Sequence, residues 1–285
     1  MKSLFCIVVA LTALVFGGCS HSENEVLLGE KNYSLTIGMP EQPMVRTTLG
    51  EVTDGERVVY WSSGDCISAN GVTSYEAQIS GEKSKVATFN FAQTPTYPCD
   101  ILYPASFYKD ATTITLPKEQ AVAVGSFATN TLPMAACVAE EGGYVSLNYL
   151  ASVIHLQLKD VSGDNEGKHA DVLRVEFRGN NAEVISGDFV INYADATLVP
   201  AEGGVQNDFT VAHVKRTLSS TEIMDIFVVV PSREYANGFT IQVIDKVGHF
   251  MDKKARAIEL ERGKIYKMPL FEFVPTGSHV SVGIK

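Results

Sequence analysis

The sequence predicts an all-β fold, organised as two β-sandwiches in tandem. Three observations carry this expectation. Short stretches alternate apolar and polar residues with a period of two. Turn pairs such as Asn-Gly and Gly-Asp punctuate them. No amphipathic stretch of about twelve residues with helical spacing interrupts the series.

The elements follow in order. Tyr33, Leu35, Ile37 and Met39 alternate with small residues and give the first strand. Ala87, Phe89 and Phe91 repeat the pattern, as do Ile114 with Leu116 and Val145 with Leu147. Later come Leu173, Val175 and Phe177, then Phe189, Ile191 and Tyr193, then Phe239, Ile241 and Val243. The continuous apolar run 226–230 fits a central strand. Turn signals stand at Asp54-Gly55, Gly64-Asp65, Asn70-Gly71, Gly187-Asp188 and Asn237-Gly238. A short helical turn is expected near 219–224. The run VSLNYLASVIHLQLK (145–159) restarts a strong strand pattern after Glu140-Glu141-Gly142-Gly143. That places a boundary near residue 148 and gives domains 32–147 and 148–285, each of ordinary sandwich size.

The chain has 285 residues, 45% hydrophobic and 20% charged, which suits a folded globular protein with a sizeable core. Lysine and arginine total 23 against 33 aspartates and glutamates, a net charge of −10. This balance argues against nucleic acid as a partner, since phosphate backbones are held by clustered cations.

The amino end reads MKSLFCIVVALTALVFGGCS. Lys2 precedes an uncharged run at 4–16. As a helix it would reach about 20 Å, short of the roughly 30 Å hydrocarbon core. Residues 1–18 therefore read as a signal peptide. Gly17-Gly18-Cys19 resembles a bacterial lipoprotein signal, with Cys19 as the lipidation site and Phe16 where leucine is usual. A plain secretory signal with Cys19 incidental is the other reading. Residues 19–31, opening on a polar acidic stretch, read as a tether. The body holds Cys66, Cys99 and Cys137, an odd count with no zinc or redox spacing. Free buried thiols are the default, and one Cys66–Cys99 bridge is the alternative.

Nothing in the spacing forms a catalytic constellation. The six histidines share no metal-ligand spacing, and nucleophile-elbow, P-loop and dinucleotide signatures are missing. His155 sits in an apolar strand and reads as a core or sheet histidine. The DNE turn (164–166) reads as a solvated loop, with calcium binding as the alternative. Trp61 reads as core. The expectation is a non-enzyme with no cofactor and no metal.

Several stretches resemble the fimbrillin, or Mfa-like, family of lipoproteins, which are subunits of type V pili in Bacteroides-group bacteria. They are RTTLG (46–50) with VYWSSGDCISANG (59–71), LYPAS (102–106) with ITLPKEQ (114–120) and LPMAA (132–136), and SVIHLQL (152–158). VISGDFVINYADATL (184–198) and the closing runs at 227–255 and 258–273 complete the set, in the family's order. Cys66 departs from the polar residue expected there, and the tail after Phe273 is longer than in many members.

The resemblance implies two tandem transthyretin-like sandwiches exported as a lipidated precursor. A protease with Arg specificity removes the first strand, and another pilin subunit fills the groove with its own strand. Carried onto this chain, the removed strand is that of Tyr33, Leu35, Ile37 and Met39. The cut falls between Arg46 and Thr47, behind the proline-containing loop 40–43. The candidate donor strand is 279–285, with Val280, Val282 and Ile284 on one face. The implied function is a stalk or tip subunit of a fimbria. The precursor is anchored in the outer membrane by its lipid, the mature form stands at the cell surface, and a host or bacterial surface ligand is a further partner class. The alternative is a surface lipoprotein that binds glycan or another ligand without polymerising.

Overall fold

The alternating stretches become strands because their apolar residues can face a core only in an extended chain. The computed structural model describes residues 33–41, 44–48, 51–123, 125–142, 144–161, 170–274 and 276–278. The signal peptide, Cys19, the tether, the DNE turn and residues 279–285 with Val280, Val282 and Ile284 lie outside the described residues.

The strands of the first part are β1 (Tyr33–Gly38), β2 (Met44–Thr48), β3 (Glu51–Arg57), β4 (Ser68–Ala69), β5 (Val72–Thr73), β6 (Val86–Phe91) and β7 (Cys99–Tyr103). A 3-10 turn at Ala105–Phe107 leads to β8 (Tyr108–Asp110), β9 (Thr113–Leu116), β10 (Glu119–Ala123), β11 (Ser126–Phe127), β12 (Met134–Val138), β13 (Val145–Ser146) and β14 (Asn148–Tyr149). There follow β15 (Ala151–Asp160), β16 (Asp171–Gly179), β17 (Ser186–Asn192), β18 (Thr197–Pro200), β19 (Gln206–Asn207), β20 (Phe209–Thr217) and β21 (Met224–Pro231). The last are β22 (Arg233–Tyr235), β23 (Phe239–Asp245), β24 (His249–Lys254), β25 (Ile258–Leu260), β26 (Lys264–Lys267), β27 (Phe271–Phe273) and β28 (Gly277–Ser278). The fold is all-β, as expected. Residues 219–224 hold bends, not the helical turn expected there.

The sheet β21-β15-β26-β2-β3 is the wall between two cores. Val153, Phe227, Val229 and Ile265 project from one face into a first core with Trp61, Phe89, Phe91 and Ile101. Ile154, Leu156, Leu158, Ile226 and Val228 project from the other face into a second core with Phe177, Tyr235 and Phe239. The register Ile154↔Val228 and Val153↔Val229 keeps the two sets apart. This double burial explains the unbroken apolar run 226–230. In pairing, however, β21 ends its sheet and is not central. Its open edge is capped by Gln120, a buried side chain that accepts from the Val229 N–H at 3.0 Å and donates to the Val229 carbonyl at 2.6 Å. A side-chain amide thus stands in for one residue of a missing strand.

A sheet β13-β1-β6 lies on the first core, and a sheet β11-β10-β20-β16-β23-β24-β28 on the second. A third, smaller core of Leu102, Phe107, Ile114, Phe189 and Ile191 sits under β18-β17-β9-β8. Residue 148 falls in β14, and hydrogen-bonded pairs run across it: β9 with β17, β10 with β20, and β2 with β26.

Three local expectations change. Gly187-Asp188 lies within β17, not at a turn; Gly187 takes φ +112, and a Cβ there would sit 2.0 Å from the Val205 carbonyl oxygen. Asp54-Gly55 likewise lies inside β3. In β16 the register shifts between Val172 and Arg174, so Val172 is buried and Leu173 only half-buried. A bulge at this point resets the alternation. Asn70-Gly71 does turn the β4–β5 hairpin, with φ +47 and +86.

Candidate functional site

The first strand and its seat form the candidate site. Leu35, Ile37 and Met39 are 2%, 0% and 5% exposed and enter the first core. Tyr33 packs against the same core from a half-buried position. Along one edge β1 pairs antiparallel with β6 over its whole length, from Tyr33↔Phe91 to Gly38↔Val86. Along the other edge it pairs with β13 at Ile37 and Gly38 alone. The described residues place no strand beside 33–36 on that side. β1 is therefore fully packed on one face yet only partly enclosed in its sheet.

Trp61 fixes the floor of this seat. Its ring is fully buried, and its Nε1–H donates to the Ile37 carbonyl at 3.1 Å. Phe89 and Tyr103 meet it edge-on, with centroids 4.9 and 5.2 Å away. The stretch WSSGD (61–65) holds the ring by a tight turn. Asp65 accepts from the Ser62 N–H at 2.7 Å and from the Tyr103 hydroxyl at 2.8 Å, and Gly64 takes φ +91. Burial pushes the Asp65 carboxyl above its ordinary range, against the opposing pull of these two bonds. Trp61 is core, as the sequence suggests, and it is also bonded to the backbone of β1.

At the end of β1 the Tyr144 phenol lies across Gly38. A Cβ on Gly38 would fall 2.1 Å from Tyr144 Oη and 3.0 Å from Ser146 Oγ. Beyond it opens a cleft of about 650 Å³ lined by Pro40, Glu41, Tyr144, Ser146, Tyr149 and Arg262.

Arg46 and Thr47 do not lie in a loop. Both belong to β2, where Arg46 pairs with Ile265 and Thr47 with Tyr266 of β26. On its other edge β2 pairs with β3.

The remaining polar features are built into the frame. His155 is fully buried, 2.5 Å from an Asp225 carboxylate oxygen, and its ring stacks on Phe227 at 4.3 Å. Asp188 is buried and accepts from Lys109 and Thr115 at 2.7 Å and from the Val205 N–H at 2.8 Å. These donors, Lys109 first, hold its carboxyl down to about 2. Sequence reasoning missed Asp188 because its Gly-Asp pair mimics a turn. It also missed Gln120, for which the sequence offers no signal.

Cys66, Cys99 and Cys137 are free, but of the burial expected for all three only Cys99 shows it: Cys66 is half-buried and Cys137 exposed. Burial pushes the Cys99 thiol up to about 12. Among the described residues no group of three or more His, Cys, Asp and Glu side chains could hold a metal ion, and no helix is long and apolar enough to cross a membrane. Tyr60 lines a cleft of about 410 Å³ with Val58 and Phe127, Tyr144 lines the cleft beyond Gly38, and Tyr75 lines neither.

No family model matches the chain, and no curated protein matches it. Solved structures with similar folds include three candidate cell adhesion proteins. The one from Bacteroides uniformis is 11% identical, with a TM-score of 0.47, over 85% of this chain and 94% of that one. The one from Bacteroides ovatus is 11% identical, with a TM-score of 0.46, over 85% and 93%. The one from Bacteroides fragilis is 10% identical, with a TM-score of 0.45, over 86% and 95%.

Proposed function

We propose that this chain is a structural and adhesive subunit of a type V fimbria, made as a lipidated precursor and assembled by strand exchange. The carrying observation is the seat of β1, a strand with one packed face and one largely open edge. Burial of Leu35, Ile37 and Met39 contributes about 5–9 kcal/mol by transfer arithmetic. That is comparable with the roughly 5–15 kcal/mol that stabilises a whole domain. Losing β1 would also strip Trp61 of its acceptor and leave the β6 ladder unpaired, at about 1–3 kcal/mol for each buried group so orphaned. A chain without β1 therefore has a strong drive to take another strand in its place.

In this reading Cys19 carries the lipid, and the precursor stands at the outer membrane. The cut at Arg46–Thr47 releases β1 together with the first residues of β2. A protease binds its substrate as an extended chain, so β2 must first leave β26 and β3. Residues 32–147 and 148–285 act as two sandwiches that share the wall of β15, β21 and β26. The partners are other pilin subunits, an Arg-specific protease and a surface ligand at the exposed end of the fibre.

The test uses the soluble precursor, residues 20–285. It is incubated with an Arg-specific protease, the new amino end is sequenced, and polymers are sought on a gel without boiling. The reading requires Thr47 as the new first residue, polymers that boiling dissolves, and loss of both in Arg46→Ala. A cut form that stays monomeric would refute it.

A further inference from the structure

A cleft of about 590 Å³ lies over one end of the second core, between residues 253–258 and 268–271. Both walls follow from the strand pairing. On one side β26 and β27 pair in turn with β15, at His155↔Lys267 and then at Leu158↔Phe271. Four residue steps on this segment answer three on β15, so one residue is surplus and the chain arches outward. Pro269, which has no N–H to pair, and Leu270, 38% exposed, form the arch. On the other side β24 ends at Lys254, and the chain closes over Gly238, where a Cβ would sit 2.0 Å from the Ala255 carbonyl oxygen. Lys253, Lys254 and Arg256 line this wall and are exposed. The floor is Met268 and Phe271, buried in the second core, with Ile258 packed against it.

The lining reads KKARAI (253–258) and MPLF (268–271). Three of these side chains are cations and the rest are apolar; none is an amide, a hydroxyl or a carboxylate. The chain as a whole carries −10, yet here three cations fall within four residues. Lys109, Lys246 and Lys264 each reach a carboxylate, at 2.7, 3.0 and 2.6 Å. Among the described residues Lys253, Lys254 and Arg256 have no such partner. The acidic residues next to these runs, Asp252, Glu259 and Glu272, do not line the cleft, and Asp252 accepts from the Gln242 amide at 2.8 Å.

We propose that this cleft binds an amphipathic anion of the fatty-acid type, a single apolar chain ending in a carboxylate. The three cations hold the carboxylate, with Arg256 able to grip it through two parallel N–H bonds. The apolar chain covers Ile258, Pro269, Leu270 and the stems of the lysines. The volume falls within the roughly 300–1,000 Å³ of small-molecule sites. A neutral sugar would find no side-chain acceptor for its hydroxyls and no exposed ring to stack on, and a small inorganic anion would leave the apolar wall uncovered. The site is independent of strand exchange, since it shares no residue with β1 or β2.

The experiment is a calorimetric titration of the uncut chain, residues 20–285, with decanoate below its micelle concentration. Decanoate is expected to bind one per chain. Acetate, which has the charge without the chain, and decyltrimethylammonium, which has the chain with the opposite charge, should each bind at least about tenfold more weakly. The triple variant Lys253→Gln/Lys254→Gln/Arg256→Gln should weaken decanoate at least about tenfold with its melting temperature unchanged, since these side chains make no ion pair in the fold. Leu270→Asn should also weaken decanoate, through the apolar wall. The control Lys83→Gln/Lys85→Gln/Lys215→Gln removes the same charge from exposed sites elsewhere and should leave decanoate binding intact. No binding of decanoate, equal binding of decyltrimethylammonium, or an equal loss in the control variant overturns the proposal. Binding to phosphatidylglycerol vesicles without binding to monomeric decanoate would mean a membrane-facing surface in place of a ligand cleft, and overturns it too.

Discussion

Ile37→Ala separates a strand that merely belongs to the core from one that leaves it. Ile37 is fully buried at the centre of β1, packed in the first core and carrying the carbonyl that Trp61 bonds. Truncating a buried isoleucine to alanine costs about 2–5 kcal/mol, the transfer loss plus the cavity left behind. For a chain of this size each kcal/mol moves the melting temperature by about 2–4 °C, so a fall of roughly 4–20 °C is expected. Trp61 is the sole tryptophan and touches β1, so its fluorescence during denaturant or thermal unfolding reports the change directly. Ile101→Ala is the control, since Ile101 is equally buried in the same core but lies on β7. In the uncut precursor both substitutions should destabilise. In the cut and assembled form Ile101→Ala should still do so, while Ile37→Ala should have no effect because its residue has gone. A loss below about 0.5 kcal/mol in the precursor would mean that β1 is not packed as described. An Ile37→Ala loss that persists after assembly would mean that the nicked strand stays in place, which refutes release.

Three further outcomes are expected. Asp188 is held below its ordinary range by Lys109 and two other donors, so it stabilises the fold above about pH 4 and loses that contribution as the pH falls toward 2. Asp188→Asn should lower stability by about 1–3 kcal/mol at pH 7 and flatten acid unfolding between pH 4 and 2, measured by denaturant midpoints across that range. Gln120→Leu should cost a similar amount, about 1–3 kcal/mol, by leaving the Val229 N–H and carbonyl on β21 without their amide, measured by urea unfolding. Folded protein treated with maleimide should label at Cys137, which is exposed, while Cys99 should label only after unfolding; peptide mass spectrometry distinguishes them.

Much of the fold was legible because period-two burial leaves a direct trace. Phe89 and Phe91, Phe189 and Ile191, and Phe239 and Ile241 sit where alternation puts them. Alternation failed where backbone geometry intervened. The β16 bulge buries Val172 in place of Leu173, and a residue-by-residue pattern carries no sign of a register shift. Gly-Asp pairs misled because a left-handed glycine serves a turn at Gly64 and a close approach to Val205 at Gly187. The edge position of β21 was hidden because burial on both faces looks the same whether or not a neighbouring strand is present. At the site, the strand of Leu35, Ile37 and Met39 was readable from its side chains. The Trp61 bond to Ile37 and the Tyr144 notch over Gly38 were not, since both depend on contacts between segments far apart in sequence.

The proposed assembly requires that β1 leave its seat and that a strand from another subunit take it. Amide hydrogen exchange at Ala87, Phe89 and Phe91 of β6 follows this, because alternate N–H groups of that strand face β1, whereas the Thr88 N–H donates to the Gln78 carbonyl on the other edge. These three amides should be protected in the precursor, exchange rapidly in the freshly cut monomer and regain protection in the polymer. Unchanged protection of Ala87, Phe89 and Phe91 through the cut would contradict release of β1.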